Sequence, residues 1–250
     1  MAITVDSVGS ADGDGTTVTL SHTITAVGSD LMLTVGSAAE VNVNQDVTIT
    51  GVTWNGTSLI AIGNADFDNT SSATFRDTAT LWYLINPDTG THDVVATCAT
   101  DPKGMTVGAI SLIGAKQQAP EASATNKDAL VVSGRASVTL SSISDNAWFV
   151  DSVANHNSGT DMVADANQDE RYQDANDIRH NGSTRSVISA SEITMGWTLA
   201  TSRFWGIVCG VFAPAVAAAG WTHIINTVTA ANMAKVNTVA KANIAEINQT

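Results

Sequence analysis

From residue 1 to about residue 214, apolar and polar positions alternate in short runs, with Gly, Asn, Asp and Ser between them. This is the pattern of β-strands joined by turns. Residues 16–24 alternate with period two, and residues 30–35 read as a strand buried on both faces. Residues 47–54, then Asn55-Gly56, then 57–62 predict a hairpin, because Asn-Gly supplies the two positive-φ positions of a type I′ turn. Further strands are predicted at 79–85, 92–98, 105–113, 129–132, 136–140, 147–153, 185–189, 194–199 and 204–212. Residues 86–90 form a turn cluster, and polar loops are expected over 117–127 and, as the largest interruption, 155–181. About a dozen strands with no useful helical period predict an all-β chain, a two-sheet antiparallel β-sandwich of jelly-roll type.

Beyond Pro214 the pattern changes. Residues 215–220 are a short apolar linker, and 221–250 carry an eleven-residue repeat. Ile225-Asn-Thr-Val-Thr-Ala-Ala-Asn-Met-Ala-Lys235 is echoed by Val236-Asn-Thr-Val-Ala-Lys-Ala-Asn-Ile-Ala-Glu246, and a third unit opens at Ile247. Trp221 starts the segment, and Ile225, Val228, Met233, Val236, Val239, Ile244 and Ile247 keep the apolar period. An eleven-residue period suits a right-handed helical supercoil. A turn followed by a short Ala-rich helical turn, stacked as a small repeat, fits the same residues. Either way so short a repeat buries no core alone and needs a partner. The segment is therefore expected to attach or oligomerise the 1–214 domain, with those eight apolar residues as the assembly surface.

Composition narrows the classes. Hydrophobic residues are 44% and charged residues 14%, so the surface is mostly Ser, Thr, Asn and Gly. Net charge is −13 and no two Lys or Arg are adjacent. Nucleic acid and anionic membranes both require clustered cations, so neither is an expected partner. No apolar run approaches the roughly 20 residues of a membrane span. The first residues lack the basic and apolar regions of a signal peptide, so the chain is expected to fold in a cytoplasm. Cys98 and Cys209 sit in apolar runs and read as buried free thiols, the alternative being a disulfide that would need their two strands adjacent and in register.

Several stretches together resemble a known family. Leu81-Trp-Tyr-Leu-Ile-Asn-Pro87, Gly90-Thr-His-Asp-Val-Val-Ala96, Val107-Gly-Ala-Ile-Ser-Leu-Ile-Gly114, Met195-Gly-Trp-Thr-Leu199 and the run from Trp205 to Pro214 follow in order. They are similar to a jelly-roll module of phage structural proteins and large bacterial surface proteins. The tail resembles the KINGV-type repeat that ends many phage head- and tail-associated proteins. In that pattern Gly follows the Asn; Thr227 and Thr238 stand there here, where a positive-φ turn is not expected. The resemblance implies a non-enzymatic virion protein, assembled in the host cytoplasm as a capsid decoration, head fibre or tail-associated protein. Its implied partners are its own copies, as a trimer, and a major capsid or tail protein. The alternative is an adhesin or receptor-binding module that recognises a host surface glycan.

Candidate chemistry is sparse. The Gly-x-Ser-x-Gly elbow and phosphate-cradling Gly loops are missing, and the five histidines show no i,i+4 pair. A glycosidase needs two carboxylates across a cleft, and nothing singles out a pair among 24 acids. No enzyme and no cofactor are expected, with calcium as the one candidate ion. Asp161, Asp165, Asn167 and Asp169 place oxygen ligands at near-alternate positions, as a calcium loop does. Counted from Asp165, an EF-hand would carry Gly and Glu where Glu170 and Asn176 stand, and a solvated acidic loop explains the same residues. Trp54, Trp82, Trp148, Trp197 and Trp205 all fall on strands, as core residues or as a sugar-stacking platform beside Asp, Asn or Arg.

Overall fold

The computed structural model describes residues 2–26, 28, 30–42, 45–68, 75–156 and 161–215. The repeat with Trp221, Ile225, Val228, Met233, Val236, Val239, Ile244 and Ile247 lies outside the described residues. Those that are described belong to a compact unit, Met1–Ala215, with no helix among them.

The first half of the unit contains β1 (Thr4–Gly13), β2 (Thr17–Ile24), β3 (Leu31–Asn42), β4 (Ile49–Trp54) and β5 (Thr57–Ser58). It continues through β6 (Ile60–Asp68), β7 (Phe75–Ile85), β8 (Gly90–Cys98) and β9 (Gly104–Ile113). Five strands pair in the order β1-β9-β3-β7-β6 and four in the order β2-β8-β4-β5. The chain crosses from one sheet to the other and back, which is the jelly-roll path. Leu33, Val35, Trp54, Val94 and Val107 fill the space between the two sheets. Asn55 and Gly56 take φ of 48° and 79°, the turn that the sequence predicts between β4 and β5.

The second half contains β10 (Ala122–Ser141), β11 (Trp148–His156), β12 (Met162–Ala164), β13 (Asp169–Asn176), β14 (Ile178–Ser186) and β15 (Glu192–Phe212). Its sheet runs β10-β15-β11-β14-β13, with β12 also on β15. The long strands β10 and β15 each serve twice. Residues 122–128 pair with 205–211, and that part of β15 also pairs with β11. Residues 135–141 pair with 192–198, beside β12 on 197–199. The register shifts between the two sections, at Asp128 to Arg135. The sections then face each other, since Val138, Met195 and Trp197 share one core with Phe149, Ile207 and Val211.

The expected antiparallel sandwich is thus present twice. The order β10-β15-β11-β14-β13 repeats β1-β9-β3-β7-β6, and β10-β15-β12 repeats β2-β8-β4. Turns that separate β1 from β2 and β8 from β9 are replaced in the second copy by continuous strand. Val18-Thr19-Leu20-Ser21 on β2 and Val138-Thr139-Leu140-Ser141 on β10 share a sequence and the same alternation of buried and exposed positions.

The two five-stranded layers pack face to face. Met32, Ile110 and Leu112 meet Val150, Tyr172 and Phe212, while Phe67 and Ala79 meet Ile178 and Phe204. Strand β6 packs on β10 and β15, and its counterpart β13 packs on β1 and β9, so an approximate twofold relates the copies. Close approach here requires glycine. A Cβ on Gly36, Gly108 or Gly182 would overlap the Tyr172 side chain. Gly206, the counterpart of Gly108 in β15, lies against Ala65 O of β6, which a Cβ would meet at 2.7 Å.

Some boundaries differ from the sequence pattern. The loop expected over 117–127 is already strand from Ala122, and the loop expected over 155–181 contains β12, β13 and the start of β14. Strand 185–189 ends at Ser186, and the pairs 129–132 with 136–140 and 194–199 with 204–212 fuse into β10 and β15.

Candidate functional site

The calcium candidates fall on the segment from β12 to β13. Asp161 accepts from Arg179 Nη2 at 2.6 Å, Asp165 takes both terminal nitrogens of Arg135, and Asp169 faces Arg171 Nη2 at 2.9 Å. Asn167 holds φ at 69° in the turn. Each of the three carboxylates is thus neutralised by a different guanidinium.

Among the described residues, the titratable donors that converge are Glu40, Asp77 and His156. Glu40 on β3 and Asp77 on β7 are cross-strand partners in the first jelly roll, and His156 ends β11 of the second. Both carboxylates are buried, at 2% and 0% exposure. His156 Nδ1 lies 3.2 Å from Glu40 Oε2 and 3.1 Å from Asp77 Oδ2. Lys103 Nζ donates to Glu40 Oε1 at 3.1 Å and sits 4.0 Å above the Phe75 ring, which itself stacks on the imidazole. Hydrogen bonds to Asp77 and then Glu40 raise the His156 pKa to about 9, against the effect of burial. Burial alone would raise Glu40, but hydrogen bonds from His156 and Lys103 outweigh it and hold the carboxyl below its ordinary value. At neutral pH an ionised Glu40 therefore faces an imidazolium, with Asp77 also beside the ring nitrogen.

Two further polar groups are sealed inside the second jelly roll. Asp151 is fully buried and accepts from Ser183 N at 2.7 Å, Ser183 Oγ at 2.9 Å and Trp197 Nε1 at 2.9 Å. This ties the inner layer of that sandwich to its outer one. Ser152 Oγ lies 2.9 Å from His180 Nε2, and Tyr172 OH lies 3.3 Å from the same atom. Burial pushes His180 down to about 3, so the imidazole is neutral. Among the described residues the Ser-His pair has no carboxylate on Nδ1, and both side chains are buried.

Burial pushes the Asp151 carboxyl up to about 7, opposed by its three hydrogen bonds. A folded pKa above the unfolded value of about 3.9 means the contribution is complete below about pH 4 and lost as pH rises through 7. Guanidinium unfolding between pH 4 and 7.5 should show a decline of up to about 4 kcal/mol from this group. Asp151→Asn should remove that limb whatever its absolute stability, and an unchanged limb in the variant would assign it elsewhere.

The strand tryptophans are core residues or partly covered. Trp54, Trp197 and Trp205 are buried, and Trp82 and Trp148 are half-buried. Among the described residues neither Trp nor Tyr offers an exposed ring. Cys98 and Cys209 are buried free thiols.

The polar signal that marks the cluster is a charged residue inside an apolar strand. Glu40 stands within Leu31–Asn42, whose residues are buried up to Val41. Its partners come from distant strands, so no local spacing announces them. No family model, no curated protein and no solved structure matches the chain.

Proposed function

We propose that this chain is a non-enzymatic structural protein of a phage particle. Its stacked jelly rolls are displayed on the virion, as a capsid decoration, head fibre or tail-associated protein. Residues 221–250 attach or oligomerise it, as a homotrimer bound to a capsid or tail protein. The observation that carries the reading is the eleven-residue repeat from Ile225 to Glu246, whose apolar period demands a partner. The strand motifs that resemble phage jelly-roll modules, together with a surface of small polar residues, support it.

Light scattering after size exclusion tests the assembly role. The full chain should run at three times its monomer mass, and residues 1–215 alone at the monomer mass. A monomeric full chain would remove the trimer, and a trimeric 1–215 fragment would move assembly into the body. The glycan-binding alternative has no exposed Trp or Tyr among the described residues to stack on a sugar.

A further inference from the structure

The cluster where β3, β7 and β11 meet has a donor geometry that a single hydrogen does not use up. We propose that Glu40, Asp77 and His156 form a binding site for a divalent transition-metal ion, zinc by ligand type, which clamps the first jelly roll to the second.

Only one hydrogen sits on His156 Nδ1, yet two carboxylate oxygens lie 3.2 and 3.1 Å from that nitrogen. A single N–H shared between the two oxygens is bent away from each, whereas a cation at the centre of three donors meets all of them directly. Zinc binds nitrogen and oxygen at about 2.0–2.2 Å, which places neighbouring donors of a tetrahedron roughly 3.3 Å apart. The observed separations lie within a few tenths of an ångström of that edge, and the three donor atoms all fall within 4.8 Å of one another.

The donors are also held in place. Glu40 and Asp77 are fixed by strand pairing, Lys103 engages the other oxygen of Glu40, and Phe75 stacks on the imidazole. Such supporting contacts orient ligands and raise affinity. Two carboxylates with one imidazole suit zinc and its first-row neighbours, whereas magnesium and calcium prefer all-oxygen sets. His156 keeps 20% of its side chain exposed, against 3% and 0% for the two carboxylates, so the imidazole side is the one nearest solvent. Binding exchanges the imidazole proton for a dication matched by two carboxylates.

The test uses the full chain stripped with a chelator and titrated with Co²⁺ and then Zn²⁺. We expect one equivalent of cobalt to bind with the visible absorption of a four- or five-coordinate site, and zinc to displace it. Thermal unfolding should rise by roughly 5–10 °C at free zinc a hundredfold above Kd, and a chelator should reverse the rise. Asp77→Asn and Glu40→Gln should each weaken binding tenfold or more, while Asp165→Asn leaves it unchanged. Circular dichroism checks that each variant is folded, and the wild-type titration stands without them. No bound equivalent in the wild type, or one equally tight in both cluster variants, overturns the site.

Discussion

Gly108→Ala lowers the thermal midpoint by roughly 6–12 °C, from a loss of about 3 kcal/mol in a domain of this size. The added methyl would lie 2.3–2.4 Å from three carbons of the buried Tyr172 ring. Gly36 and Gly108 are paired on β3 and β9, Gly182 is the cross-strand partner of Tyr172 on β14, and all three leave room for the same side chain. The clash is with a buried ring between two sheets, so relief requires the layers to separate and lose the contacts around Met32 and Val150. A double-mutant cycle identifies the cause. In a Tyr172→Ala background, already destabilised by its own cavity, the same glycine substitution should cost well under 1 kcal/mol. Equal costs in the two backgrounds would place the effect on strand geometry instead.

His156→Ala in the metal-free protein costs about 3–5 kcal/mol near pH 6, the range for breaking a buried ion pair by removing one partner. With the imidazolium gone, Glu40 and Asp77 face each other as buried cross-strand carboxylates. The effect has a pH signature. The folded pKa of about 9 lies above the unfolded value of about 6.5, so the contribution of His156 is complete below 6.5 and lost as pH rises through 9. Urea unfolding of wild type and variant should therefore show the largest gap at pH 6 and a closing gap above pH 9. A gap that is constant with pH would mean that the residue acts through packing on Phe75 alone.

Much of the fold was legible because its strands obey local rules. The alternation of β2, the Asn55-Gly56 turn and the apolar runs of β7 and β9 each carry their own signal. β13 and β14 do not. Their residues read as loop because β14 is Ile-Arg-His-Asn-Gly-Ser-Thr-Arg-Ser, yet it is almost wholly buried. Its Ser183 and Thr184 find their partners inside, in Asp151 and Gln168 on Ser183 and Arg171 on Thr184. Polarity predicts exposure only where water is the sole available partner. The doubling was hidden for a different reason. One copy uses turns where the other bends a continuous strand, so the same sandwich is divided into elements differently in the two halves of the sequence. The candidate site was illegible for a third reason, since its three donors come from strands far apart in the chain.

The approximate twofold between the jelly rolls gives the interface an isologous character, with each half offering the same strands to the other. In a dimer of separate chains such a contact weakens on dilution. Here both partners are one polypeptide, so the β9–β10 connection sets their effective concentration. The fused pair keeps its interface however dilute the protein becomes.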